Sequence, residues 1–287
     1  MSLWLDMLGA EIRFVDTRSF GRTRIAEAGR GNGETLLFLH GIGGHLEAYA
    51  KNVVPLADRF HVVAYDYVGH GLSEKKVMEY TPLVLADHLG ELLDALGVER
   101  AHLSGESLGG WTSGIFAGRN PDRVARLILN TSAGLPVRTE KGKAELEALK
   151  TLSQKATGQA PTYESVQARM KWLFHPDNHE MISDELIRTR LAFYTQPIMR
   201  EVAPRVLGMI GRHDEFLIPL EKIRAQTLFL WTEHNPVHDV ETARIASQQV
   251  AGSQLYVMKG KSGHWPQYEA PEEFNDVTRK FLTSGAI

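Results

Sequence analysis

The sequence predicts an α/β protein: a mostly parallel, doubly wound sheet with a helical lid inserted into it. Three observations predict this. Short apolar runs, largely without strict alternation, take turns with helix-length amphipathic segments, the rhythm of strands covered on both faces by helices. That rhythm stops after residue 133 and resumes near 224. Between those points the pattern is helical and charged, and no run in it reads as a strand.

In chain order, E-I-R-F-V-D-T-R (11–18) and G-R-T-R-I-A-E-A-G (21–29) read as strands joined by a tight turn. T-L-L-F-L-H (35–40) is apolar and too short for a core helix. Further strands are expected at 61–67, 101–105, 124–130, 227–232 and 254–259. Residues 83–96 space their leucines by three and four, and 109–119 follow a glycine-flanked serine directly, so both are expected to be helices. The charged segment contains K-A-E-L-E-A-L-K-T-L, V-Q-A-R-M-K-W-L-F and S-D-E-L-I-R-T-R-L-A-F-Y. At about 90 residues it is too long for a single crossover connection. The expected organisation is a core over 1–134 and 224–287 with the lid over 135–223.

Composition narrows the function. The chain has 287 residues, 43% hydrophobic and 23% charged, which suits a globular protein with a substantial core. A net charge of −3 with no dense basic run gives no reason to expect a nucleic-acid partner. The absence of cysteine removes disulfides, thiol nucleophiles and thiolate metal sites, and fits a cytoplasmic location. The opening M-S-L-W-L-D-M-L-G-A is too short and mixed for a signal peptide, and no apolar run is long enough to span a membrane.

Gly105-Glu106-Ser107-Leu108-Gly109-Gly110 follows an expected strand and opens an expected helix, the context a G-x-S-x-G nucleophile elbow requires. Ser107 is the candidate nucleophile. The Leu108 amide, at the helix start, is a candidate oxyanion donor, and H-G-I-G-G (40–44) offers a second from Ile42 or Gly43. Serine needs a base. Of twelve histidines, His264 in K-S-G-H-W-P-Q-Y-E is the favoured one, because it follows the last strand and precedes the terminal helix. His234 and His238 are four apart, but Pro236 interrupts any helical face and no H-E-x-x-H is present, so no metal site is expected.

This order of oxyanion loop, elbow, inserted helices, acid and histidine resembles the α/β-hydrolase superfamily over nearly the whole chain. More narrowly, the chain is similar to the meta-cleavage product hydrolases, which cut a carbon–carbon bond in 2-hydroxy-6-oxo-2,4-dienoates made by aromatic ring fission. G-H-W-P-Q-Y-E around His264, H-G-I-G-G, Asn52 in K-N-V-V-P-L-A-D-R-F and R-T-R-L-A-F-Y-T-Q-P carry the resemblance. It implies that Arg190 grips a substrate carboxylate, that Trp265 lines the pocket and that Asn52 belongs to the substrate-binding set. It further implies a small-molecule substrate, no cofactor, and a homodimer or higher homo-oligomer.

Two positions depart from the family pattern. An aspartate in W-G-x-x-D would orient the histidine, but the text here reads W-T-E-H-N, placing Asn235 at that position. Asn235 itself, Asp239 as a replacement acid, and Glu233 are the candidates for orienting His264; Asp214 is a poor match in chain order. The second departure is Glu106, where the family carries asparagine just before the serine. A carboxylate there adds negative charge to a pocket meant for an anion, and it keeps a carboxylesterase or lactonase open as the alternative. A catalytically inactive binding protein is the more distant one.

Overall fold

The computed structural model describes residues 2–287 and contains an eight-stranded sheet in the order β1-β2-β4-β3-β5-β6-β7-β8. The strands are β1 (Glu11–Thr17), β2 (Gly21–Ala28), β3 (Thr35–Leu39), β4 (His61–Tyr65), β5 (Ala101–Glu106), β6 (Val124–Asn130), β7 (Gln226–Trp231) and β8 (Gln254–Val257). β2 pairs antiparallel with both β1 and β4, and the remaining neighbours are parallel. All eight lie within two residues of their expected bounds.

The helices are α1 (Leu3–Asp6), α2 (Ala50–Leu56), α3 (Pro82–Ala95), α4 (Leu108–Arg119), α5 (Glu140–Ala156), α6 (Tyr163–Leu173), α7 (Asp184–Tyr194), α8 (Met199–Leu207), α9 (Val240–Ser247), α10 (Pro266–Glu269) and α11 (Pro271–Ser284). They cover both faces of the sheet, which explains why strands such as β3 are wholly buried and lack polar alternation. Successive β3 residues point to opposite sides. Leu37 and Leu39 join Leu85, Leu89 and Ile115 of α3 and α4 on one face. Leu36 and Phe38 join Val53, Phe274 and Phe281 of α2 and α11 on the other. Each such side chain, fully buried, contributes about 1.5–3 kcal/mol.

Helix starts follow their capping residues. Thr81 accepts from the Val84 amide, with Pro82 at the first helical position. Thr139 and Ser183 cap α5 and α7, and Thr162 and Ser165 form a reciprocal capping box on α6. α5 to α8 are inserted between β6 and β7 without an intervening strand. Leu149, Met170, Leu173 and Ile187 from these helices pack with Val237 and Trp265.

Parallel pairing brings Leu39, Glu106, Asn130 and Trp231 to one edge of the sheet. The loops leaving that edge carry Ile42, Ser107 and Asn235, so the inserted helices and the chemistry-bearing loops meet at the carboxyl ends of the strands. Among the described residues no helix is long and apolar enough to cross a membrane.

Candidate active site

Ser107 sits between β5 and α4 with φ 55° and ψ −113°. A non-glycine residue held there stores about 1–3 kcal/mol of strain, and the surroundings impose it. Its amide donates to the Asn130 carbonyl at 3.0 Å, and its own carbonyl accepts from Trp111 and Ala133 at 3.0 and 3.1 Å. The turn is possible only with glycine on both sides. A Cβ on Gly105 would lie 2.2 Å from the Gly109 backbone, and one on Gly109 would lie 1.9 Å from the Leu39 carbonyl oxygen. Leu108 is the first helical residue, so its N–H has no intrahelical acceptor and adds to the positive end of the helix dipole.

The loop after β3 folds as a turn in which Gly44 N–H donates to Gly41 O at 2.9 Å. His40 braces it from within: Nδ1 contacts the Gly41 carbonyl at 2.8 Å while Nε2 accepts from the Tyr67 amide. Burial lowers the His40 pKa to about 3, so the ring is a neutral structural strut. Ile42 lines the cavity beside Ser107. The Gly43 carbonyl faces the inserted helices and accepts from Arg190 at 2.9 Å and from the Tyr194 hydroxyl.

His264 is fixed by its backbone. Its N–H donates to the Leu173 carbonyl at 2.7 Å, and its carbonyl accepts from the Thr131 hydroxyl at 3.0 Å. Glu269 completes the clamp. Its Oε1 accepts the amides of Gly263 and Trp265, and its Oε2 accepts the His175 amide and Asn178 Nδ2 from the inserted segment. Nothing in the sequence marked Glu269 for this role, since it depends on joining its own loop to the distant segment of His175 and Asn178.

Both imidazole nitrogens have neighbours. Nδ1 meets Asn235 Oδ1 at 3.1 Å, and that oxygen also accepts the amides of Val237 and His238, at 3.0 and 3.3 Å. Two backbone donors fix the orientation of the amide, leaving Asn235 Nδ2 buried without a partner. Nε2 lies 3.0 Å from Glu106 Oε1, at salt-bridge distance, and no hydrogen bond joins His264 to Ser107 among the described residues. The His238 ring stands 5.3 Å from that of His264, and burial pushes its pKa well down, so it is neutral.

Two expected assignments are corrected. The Asp239 carboxylate accepts from the Thr139 hydroxyl at 2.9 Å and pairs with Lys141 at 3.3 Å. It ties the start of α5 to the start of α9 and makes no contact with His264. Asn52 is buried in α2, where its Nδ2 donates to the Gln267 carbonyl and to Asn275 Oδ1. It joins α2 to α10 and α11 and does not line the cavity. Glu233 is exposed, and the His234 ring packs on His175 while His238 packs on His264, so that histidine pair shares no site.

The cavity is narrow, with about 20 Å³ of free space, and brings together Ile42, Glu106, Ser107, Arg169, Arg190 and His264. Leu149, Leu173, Val237 and Trp265 supply the apolar wall. Arg190, 1% exposed, donates through Nη2 to Gly43 and Tyr194, while its Nη1 is buried and unpartnered. Its guanidinium lies 5.0 Å over the Trp265 ring. Arg169 on α6 is a second guanidinium in the same wall, one the sequence reading did not single out. Phe174 packs behind Trp265, and Phe193 packs on His45 and Arg24. A wider, open hollow walled by Trp4, Leu8 and Ile12 holds neither Ser107 nor His264.

Comparison with known proteins agrees with this architecture. A family model described as the alpha/beta hydrolase fold matches residues 34–271. A 2-hydroxy-6-oxo-2,4-heptadienoate hydrolase of Pseudomonas putida is 30% identical over 274 residues, covering 91% of this chain and 93% of the relative. A 2-hydroxy-6-oxo-6-phenylhexa-2,4-dienoate hydrolase of Comamonas testosteroni is 29% identical, with 88% of each chain covered. The crystal structure of a serine hydrolase involved in carbazole degradation superposes with a TM-score of 0.79 at 27% identity, over 96% of this chain and 99% of that one. The chain thus belongs to the α/β-hydrolase family, closely related by sequence and structure to the meta-cleavage product hydrolases of 2-hydroxy-6-oxo-dienoates.

Proposed function

We propose that the chain hydrolyses the carbon–carbon bond of a 2-hydroxy-6-oxo-2,4-dienoate, giving 2-hydroxypentadienoate and a carboxylic acid. One observation carries this reading: Arg190, a buried guanidinium whose Nη1 has no hydrogen-bond partner, lines the cavity that holds Ser107 and His264. A buried cationic donor without a partner is costly unless an anion completes it. A substrate carboxylate at Arg190 orients the rest of the molecule along the apolar wall toward Ser107.

The chemistry balances with this chain's own groups. The dienol proton moves from the 2-hydroxyl to C5, leaving a 2-oxo group conjugated with the C3–C4 double bond. Ser107 Oγ attacks C6 and its proton passes to His264, while the Leu108 amide and that of Ile42 or Gly43 receive the oxyanion. The C5–C6 bond breaks, its electron pair flows into the conjugated 2-oxo system, whose enolate oxygen takes the proton held by His264, and C6 remains as an acyl-serine. Water then releases the second acid. No step calls for a cofactor.

A second reading, a carboxylesterase or lactonase, is favoured by Glu106 alone, whose carboxylate faces the cavity next to the serine. One panel separates the two. Wild type and S107A are given dienoates with methyl, phenyl and carboxyalkyl groups at C6, together with simple esters and lactones. Bleaching of the dienoate chromophore by wild type only, with both acids recovered, is the expected result. Ester or lactone turnover without dienoate turnover sinks the carbon–carbon reading.

A further inference from the structure

We propose that Glu106 and Asn235 are a reciprocal pair: the negative charge facing His264 has moved from the Nδ1 side of the ring to the Nε2 side, and Asn235 is neutral because Glu106 is charged. The two departures from the family pattern are then one adaptation. The proposal rests on the reading of Ser107 and His264 as nucleophile and base.

The geometry limits the protons. Asn235 Oδ1 already accepts two backbone amides, so it faces Nδ1 as an acceptor and Nδ1 carries hydrogen. On the other side, Nε2 lies 3.0 Å from Glu106 Oε1. A bare imidazole lone pair and a carboxylate oxygen at that distance repel each other. A single proton, on either group, makes the contact attractive and the pair neutral overall. Neutrality matters because the histidine side chain is 5% exposed and that of Glu106 1%, and burial penalises an unmatched charge. An aspartate at 235 would put two carboxylates against one imidazole, one at each ring nitrogen. An asparagine there avoids it.

Glu106 Oε2 is buried without a hydrogen-bond partner, and packing holds it in place. A Cβ on Gly41 would fall 2.5 Å from Glu106 Oε2, so the carboxylate fills the space above that glycine. Among the described residues it is the only carboxylate at salt-bridge distance from His264. The other charged groups of the cavity, Arg169 and Arg190, lie on the inserted helices, and His238 beside His264 is neutral. Glu106 acts through His264 and is a positioning residue. In the reaction the proton shared at Nε2 is first given up to solvent; Nε2 then takes the Ser107 proton, and the imidazolium forms against the Glu106 carboxylate.

The test is an exchange of the two side chains. E106N, N235D and the double variant E106N/N235D are compared with wild type by the rate at which a small fluorophosphonate labels Ser107, a readout that does not depend on the natural substrate. Each single variant is expected to label about tenfold or more slowly, with the double variant recovering to within about threefold of wild type. Single losses that multiply in the double variant, or an N235D protein that labels faster than wild type, would overturn the proposal. Nitrogen-15 NMR of the histidines in wild type gives a second reading that needs no variant of Asn235. The His264 Nε2 resonance should lie away from that of an unprotonated, free ring nitrogen and move toward it in E106N; a free-nitrogen value in wild type overturns the pairing. If no protein is labelled, the nucleophile reading fails, and the NMR result alone decides the pairing.

Discussion

The Arg190 guanidinium donates to the Gly43 carbonyl at 2.9 Å, so a side chain from the inserted helices holds the loop that follows β3. The proposed anion seat and the proposed oxyanion loop are therefore coupled through one residue. R190Q should lower kcat/KM for a dienoate by about 100-fold, the scale of losing hydrogen bonds to a charged partner. R190K keeps the charge but not the planar fork and should lose about tenfold. Steady-state kinetics check this, and an R190K protein as active as wild type would show that the fork is unimportant.

The strained turn at Ser107 gives a separable prediction. S107A and S107G should both abolish turnover, but only glycine relieves the positive φ. S107G should melt about 2 °C above S107A, as expected for about 1 kcal/mol in a chain of this size. Equal melting temperatures would mean that the turn carries no strain.

Asp239 provides the control for the catalytic assignment. Its carboxylate is occupied by Thr139 and Lys141, so D239N should change kcat/KM by less than about threefold and cost about 1 kcal/mol of stability. A loss of several orders of magnitude would instead restore it as the acid.

Arg24 lies buried between Asp66 and Glu47, bonding the first at 2.6 Å and the second at 2.8 Å. Burial works to raise the Glu47 pKa, but the hydrogen bond from His45 and the charge of Arg24 hold it well below the ordinary carboxylate value. A folded-state value below the unfolded one contributes stability that is present above pH 4.5, the ordinary value, and is lost as pH falls below it. E47Q should therefore flatten the fall in melting temperature over about pH 2–5. R24M, which removes the cation bonded to Asp66 and leaves Glu47 with His45 alone, should cost about 3–5 kcal/mol at neutral pH. Calorimetry on both variants tests the sign and the size.

What was legible in the sequence followed from local pattern. Apolar runs bounded by turn residues located the strands, and leucine spacing located α3. The glycines around Ser107 marked a turn that only they could form, and chain order placed His264. Side chains whose meaning depends on a distant partner were not legible. Asn52 and Asp239 lie near chemistry-bearing segments in sequence, yet the fold points them at Gln267 and Thr139. Glu269 and Arg169 gave no signal, because their roles come from loops and helices brought together only by the insertion. Glu106 was visible as an oddity, but its contact with the imidazole required the tertiary structure.

Asn235 is followed by Pro236, and this bears on how the protein ages. An asparagine ordinarily loses its amide when the next backbone nitrogen attacks the side-chain carbonyl to close a ring, and proline has no N–H to do so. The amide at 235 is thereby protected against slow hydrolysis, and its oxygen is further held by three donors. Asn32, exposed and followed by glycine, has no such protection. On prolonged storage at mildly alkaline pH, peptide mass mapping should find aspartate and isoaspartate accumulating at 32 and an intact amide at 235.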